Sequence, residues 1–229
     1  MPAAVRVFLT AFSRPPDSLE KRVKLLWTAL KESHVTHFMI AKLQHAIVGI
    51  GGICSYSNLA FIGWMAVDPI FQRRGIANAL FKSLLTYAEE AKIPSLALFA
   101  TKAGETLYAK WGFKSQYYMV SYEILGSSNN VDPDSCAKRI EFLPSWILEM
   151  DKTAFGGDRS KLLGLLFEKG QLIASGRNGF GFVVDSTLGP LIANDPLAAL
   201  EIVKHAHGKF GAKRIHILHH NELPRHFLS

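Results

Sequence analysis

The sequence has little cysteine, no long apolar run and no long run of one charge. Cys54 and Cys136 are the two cysteines among 229 residues. Set so far apart, they form neither a disulfide framework nor a metal-binding pair, and they fit a reducing cytoplasm. The longest apolar stretches, Ala46–Cys54 and Ala60–Val67, fall well short of the ~20 residues that a bilayer core requires. No membrane span is therefore expected. The opening Met1-Pro2-Ala3-Ala4-Val5-Arg6 has no basic segment leading into an apolar one, which argues against a secretory leader. The densest basic spots are Lys21-Arg22-Val23-Lys24 and Arg73-Arg74. Neither is a tract of the kind that binds nucleic acid, so no nucleic-acid partner is expected. Aromatics, by contrast, are plentiful: 15 Phe, 6 Tyr and 4 Trp exclude a solvated, disordered chain. The net charge of +7 favours an anionic partner of some kind.

The pattern of apolar periods and turn residues reads as strand Val5–Leu9, then a helix from Asp17 or Ser18 to about Lys31. Strands follow at His37–Leu43, Ala46–Cys54 and Leu59–Val67. Next come helix Gly75–Ala91, strand Ser95–Ala100, helix Ala103–Lys110 and strand Lys114–Ile124. Gly126–Ser135, small, polar and broken by Pro133, reads as a linker. This divides the chain into residues 1–125, a linker 126–135 and residues 136–229. The second part repeats the order of the first: helices Pro144–Ala154 and Asp158–Phe167, strands Gln171–Ser175, Gly181–Asp185 and Thr187–Ala193, helix Pro196–Phe210 and strand Arg214–His219. Ile62–Asp68 can be laid on Leu188–Asn194, with Trp64 on Pro190, and Leu96–Thr101 on Ile215–His220. On that alignment the second copy has lost about seven residues around Gln72–Ala77.

Gln72–Ala77 is the segment that carries chemistry. A buried strand ends at Val67, a basic loop holds Arg73 and Arg74, and a helix starts with Gly75 and Ala77 in its first turn. Small residues let a ligand approach the backbone. The unpaired amides and dipole of a helix N-terminus favour an anion, here a phosphate or diphosphate. The pattern Gln-x-x-Gly-x-Ala, preceded by Val67-Asp68-Pro69, resembles the coenzyme-A-binding motif of the GNAT acetyltransferases. Leu107-Tyr108 followed by Gly112-Phe113 is similar to that family's second signature.

The resemblance implies a GNAT fold of α+β or α/β class, a mixed and mostly antiparallel twisted sheet flanked by helices. It implies acetyl-CoA as co-substrate, no metal, and direct transfer of the acetyl group to a primary amine within a ternary complex. It places the pantetheine arm along Met65, Ala66 and Val67, at a bulge late in the strand. The diphosphate falls on the amides of Arg73, Arg74, Gly75, Ile76, Ala77 and Asn78, with Gln72 and Thr101 as further cofactor contacts. Tyr108 takes the place of the acid that protonates the departing thiolate. No carboxylate lies on the two strands where the family often places a general base. Glu32, His34, Asp158 or a water chain are the alternatives.

Asp151–Arg159, Gly176-Arg177 and Leu188-Gly189-Pro190 look like the C-terminal GNAT-like domain of tandem members. This copy lacks the Gln-x-x-Gly-x-Ala loop, and Phe227 falls where Tyr108 lies in the first. It reads as degenerate, non-catalytic and truncated, binding no coenzyme A and instead walling the acceptor cleft with Phe155, Asp158 and Arg159. His216 and His219 fall on opposite faces of a strand and do not form a metal site. Trp27, Trp64 and Trp146 read as core. The acceptor is a small-molecule or peptide amine. The competing reading is a non-catalytic acyl-CoA-binding module.

Overall fold

The computed structural model describes residues 3–12, 23, 27–28, 36–125 and 135–220. The chain forms two compact units, Met1–Leu107 with Gly156–Leu162, and Tyr108–Phe155 with Leu163–Ser229. The expected helix from Asp17 falls largely outside the described residues, as does most of the linker 126–135.

The first unit holds α1 (Ala3–Ala11), β1 (Thr36–Leu43), β2 (Ala46–Tyr56), β3 (Leu59–Val67), α2 (Ile76–Glu90) and β4 (Ser95–Leu98). Its sheet runs β1-β2-β3-β4, antiparallel except for the parallel β3–β4 pair. The two helices lie on opposite faces. Ala4 and Val7 of α1 pack with Ile50 and Ala66. Gly49 and Gly51 point the other way, where a Cβ would stand 2.9 Å from Leu80 Cδ1 and 3.0 Å from Leu84 Cδ1. Bare backbone there lets α2 lie close on the sheet.

Residues Val5–Leu9 are helical, not the expected strand. Val5 and Leu9, four residues apart, pack on Val23, while Ala4 and Val7 fill a second cluster. A nine-residue segment buried on two sides has apolar residues at almost every position. Its period is then too short to separate helix from strand.

Helix α3 (Lys102–Lys110) leads into the second unit, whose strands are β5 (Tyr117–Glu123), β6 (Ala137–Arg139), β7 (Gln171–Ser175), β8 (Gly179–Val184), β9 (Thr187–Ala193) and β10 (Arg214–His220). Helices α4 (Ser145–Phe155), α5 (Ser160–Lys169) and α6 (Pro196–Phe210) accompany them. The sheet order is β5-β10-β9-β8-β7-β6. One core gathers Ile173, Leu188, Ile202 and Ile215 under α6. Another gathers Ile147, Leu163, Leu172, Phe180 and Phe182 under α4 and α5.

The domain boundary near residue 125 is therefore not where the contacts part. β5 belongs to the second sheet, paired antiparallel with β10 from Arg214↔Glu123 to His220↔Tyr117. An open β10 edge would expose a row of unpaired backbone groups, and β5 covers it. Among the described residues no helix is long and apolar enough to cross a membrane.

Candidate coenzyme-binding site

The site begins with an irregularity in β3. Ile50 pairs with Ala66 and Gly52 with Gly63, so Gly51 faces both Trp64 and Met65 across a β-bulge. Trp64 has φ +57°. A left-handed conformation costs a bulky residue roughly 1–2 kcal/mol, and such strain gathers at functional positions. Pairing with β4 stops at the same place: Leu59–Ile62 pair with Ser95–Leu98, and β4 ends there. Beyond it, no strand of the described residues pairs with Gly63–Val67 on that side. Met65, Ala66 and Val67 thus lie on a bulged strand with one free margin.

The chain then turns sharply into α2. Asp68 Oδ1 accepts a hydrogen bond from Ile70 N at 3.0 Å and caps the short turn Pro69–Phe71. Gln72, read from sequence as a ligand contact, donates through Nε2 to the Val67 carbonyl at 3.1 Å and ties the loop back to the strand end. Arg74 lies over the Phe71 ring, 5.5 Å from its centroid. Arg73, Arg74 and Gly75 are exposed. Gly75 is the N-cap of α2 at φ +79° and brings no side chain of its own to cap this end. A Cβ built on Gly75 would meet nothing within 4 Å. An exposed, uncapped helix N-terminus flanked by two arginines suits a diphosphate.

Thr101 sits at the start of α3, where its Oγ1 accepts from Gly104 N at 3.2 Å. This is a helix-capping contact, and the hydroxyl can still donate its own proton. Tyr108, near the end of α3, is buried, and its ring lies 6.5 Å from that of Phe113. Burial pushes its pKa above the ordinary tyrosine value. The phenol therefore keeps its proton at neutral pH, as a proton donor must. By contacts Tyr108 belongs to the second unit, while Met65–Val67, Gln72–Asn78 and Thr101 belong to the first. Of the alternative bases, Glu32 and His34 fall outside the described residues. Asp158 Oδ1 accepts from Ser160 N at the start of α5.

The second unit repeats this arrangement with its chemistry altered. Gly181 pairs with Leu191 and Val183 with Leu188, so Phe182 faces both Gly189 and Pro190. The bulged pair Trp64–Met65 thus corresponds to Gly189–Pro190, one residue off the alignment that lays Trp64 on Pro190. Pro190 has no amide to offer. The loop from Val67 to Ile76 shrinks to Asn194 and Asp195 between Ala193 and Pro196. There the helix N-terminus is capped, with Asp195 Oδ1 accepting from Ala198 N at 2.8 Å. A carboxylate already occupies the place a phosphate would take. Asp195→Ala should lower stability by about 1 kcal/mol, the usual worth of such a cap. An unchanged midpoint in urea unfolding would show the cap to be idle.

A bulged strand, a parallel neighbour that stops at the bulge, and an exposed helix N-terminus make a shape that would suit an extended, phosphate-bearing ligand. Residues 2–120 match the family described as an acetyltransferase (GNAT) domain, and residues 147–228 match a second family of the same description. The chain belongs to the GNAT acetyltransferases, with two GNAT-like halves in tandem. It is 29% identical over 221 residues to the uncharacterized N-acetyltransferase YitH of Bacillus subtilis (strain 168), a match covering 88% of this chain and 74% of that one. A crystal structure of a proposed acetyltransferase from Pyrococcus horikoshii has a TM-score of 0.83 at 29% identity, covering 94% of this chain and 75% of that one. A GCN5-related N-acetyltransferase from Kribbella flavida shares the fold, with a TM-score of 0.59 at 17% identity over 99% of this chain and 63% of that one.

Proposed function

We propose that the chain transfers an acetyl group from acetyl-CoA directly to a primary amine, in one ternary complex, in the cytoplasm. The observation that carries this reading is the end of β3–β4 pairing at the Trp64–Met65 bulge, followed by the uncapped N-terminus at Gly75. The free margin at Met65–Val67 can hydrogen-bond the amides of the pantetheine arm. The amides of the loop and first turn of α2 hold the diphosphate, with Arg73 and Arg74 adding charge. Acetyl-CoA supplies the thioester when bound.

The neutral amine nitrogen attacks the acetyl carbonyl carbon, the adduct's nitrogen gives up a proton to water, the carbon–sulfur bond breaks, and the departing thiolate takes a proton from Tyr108. An alkylamine must first lose a proton, at a cost of roughly 4–5 kcal/mol at pH 7. β3 and β4 hold no carboxylate or histidine to receive it; Glu32, His34, Asp158 or a water chain takes it. Tyr108 is then reprotonated from solvent.

Release of free coenzyme A thiol, measured over a panel of primary amines, tests the reading. Acetylated product confirmed by mass is the expected result. Acetyl-CoA binding without release above background for any amine would instead mark a binding module.

The second unit plays a different part in this proposal. It binds no coenzyme A. Asp158 and Arg159, which cluster with the first unit, help to shape the acceptor cleft. Calorimetric titration should give one acetyl-CoA per chain. Two per chain would contradict the assignment of the second helix terminus as closed.

A further inference from the structure

The alternation of the β2–β3 ladder decides which backbone groups of β3 face its free margin. Asp68 N donates to Val48 O at 2.9 Å, so Asp68 and Val48 form a hydrogen-bonded pair. In an antiparallel ladder such pairs alternate with pairs whose N–H and C=O groups point away from each other. Val67, opposite Gly49, belongs to the second kind. Its N–H and C=O therefore point to the margin beyond the end of β4. The carbonyl is already engaged there, because Gln72 Nε2 donates to it at 3.1 Å.

The same bond closes the loop ahead of α2. Just beyond it, Arg73 at φ +59° and Gly75 at φ +79° stand on either side of Arg74 in left-handed backbone. Residues of alternating handedness turn neighbouring N–H groups toward one point, a concavity that suits an anion. The left-handed form is unfavourable for an arginine, whose Cβ crowds the following carbonyl. Arg73 needs an anchor to stay in it. Asp68 Oδ1 anchors the first half of the loop through Ile70 N. Gln72, the residue before Arg73, anchors the second half to the strand end.

We infer that Gln72 is a positioning residue, whose side chain holds the loop on β3 and does not itself touch the cofactor. By binding the Val67 carbonyl it keeps the amides of Arg73–Ala77 set for the diphosphate. By occupying that carbonyl it also fixes how the pantetheine arm meets Val67: the Val67 N–H donates to a carbonyl of the arm. This rests on the acetyl-CoA reading of the same site, and it replaces the direct contact that the motif implies for Gln72.

The test uses the whole chain with Gln72→Ala and with Gln72→Met, which keeps the length but cannot donate. Gln72 is exposed, so both variants should keep the wild-type circular dichroism spectrum and unfolding midpoint. In the ligand-free chain, the amide NMR signals of Gly75, Ile76 and Ala77 should shift in both variants. A side chain that acted only by touching the ligand would leave them in place, and unmoved signals overturn the inference. Calorimetry then compares acetyl-CoA with adenosine 3′-phosphate 5′-diphosphate, which carries the diphosphate without the arm. Both should bind about three- to tenfold more weakly, the worth of one hydrogen bond, and by the same factor. A loss confined to acetyl-CoA would mean direct contact with the arm and overturns the inference, as does wild-type affinity for both ligands. The underlying reading fails separately. Wild-type affinity of Gly75→Asp for the diphosphate ligand contradicts the cofactor placement, and the inference with it. The expected losses without acetylation of any amine support the positioning role and contradict the transfer.

Discussion

Gly75→Asp should weaken acetyl-CoA binding by about 10²-fold or more while leaving the protein folded. Gly75 is exposed, with open space where a Cβ would be placed. The position is left-handed, but aspartate enters that region more readily than most residues, and a negative charge at a helix N-terminus is itself favourable. The cost falls on the ligand. Each charge-assisted hydrogen bond lost is worth about 1.5–3 kcal/mol, and the new carboxylate competes for the amides meant for the diphosphate. The second unit already shows this arrangement: Asp195 caps α6 and takes the amide of Ala198. Gly75→Ala is the control. It carries the backbone strain without the charge and should lose no more than about tenfold. If calorimetry gave Gly75→Asp the wild-type affinity, the diphosphate would have to sit elsewhere.

Tyr108→Phe should reduce turnover by ~10²–10⁴, the range typical of a lost general acid, with acetyl-CoA affinity within a few-fold of wild type. The phenol is buried, and burial raises its pKa. The sign follows directly: a raised pKa keeps the donor form populated as pH rises, so the alkaline fall of kcat should lie above the ordinary tyrosine value of about 10. The Phe variant should lose that limb altogether. Full activity in Tyr108→Phe on a verified acceptor would reduce Tyr108 to packing.

Much of this site is legible in the sequence because it is local. The end of β3 at Val67, the turn at Asp68-Pro69 and the glycine ahead of α2 are written in consecutive residues. α6 is found at Pro196–Phe210 as expected, since Asp195 caps one end and Gly211, at φ +63°, closes the other. The seven-residue loss also shows, most of it where the phosphate loop of the first copy lies. What the sequence hides is long-range or conformational. Nothing in Gly63-Trp64-Met65 announces a positive φ at the tryptophan. The β-ladder, not the local sequence, places the bulge opposite Gly51. The pairing of β5 with β10 joins residues far apart in the chain, and strand periodicity carries no record of the partner. Gln72 looks like a ligand contact in the motif, yet its side chain is spent on the Val67 carbonyl.

A crystal structure of the chain with acetyl-CoA tests the central claim most directly. The account predicts the diphosphate within hydrogen-bond distance of the amides at Gly75–Ala77, the pantetheine arm along Met65–Val67, and the thioester at the Trp64 bulge. A cofactor seated at the Asp195 end of α6, or one whose diphosphate lies away from the start of α2, would contradict it.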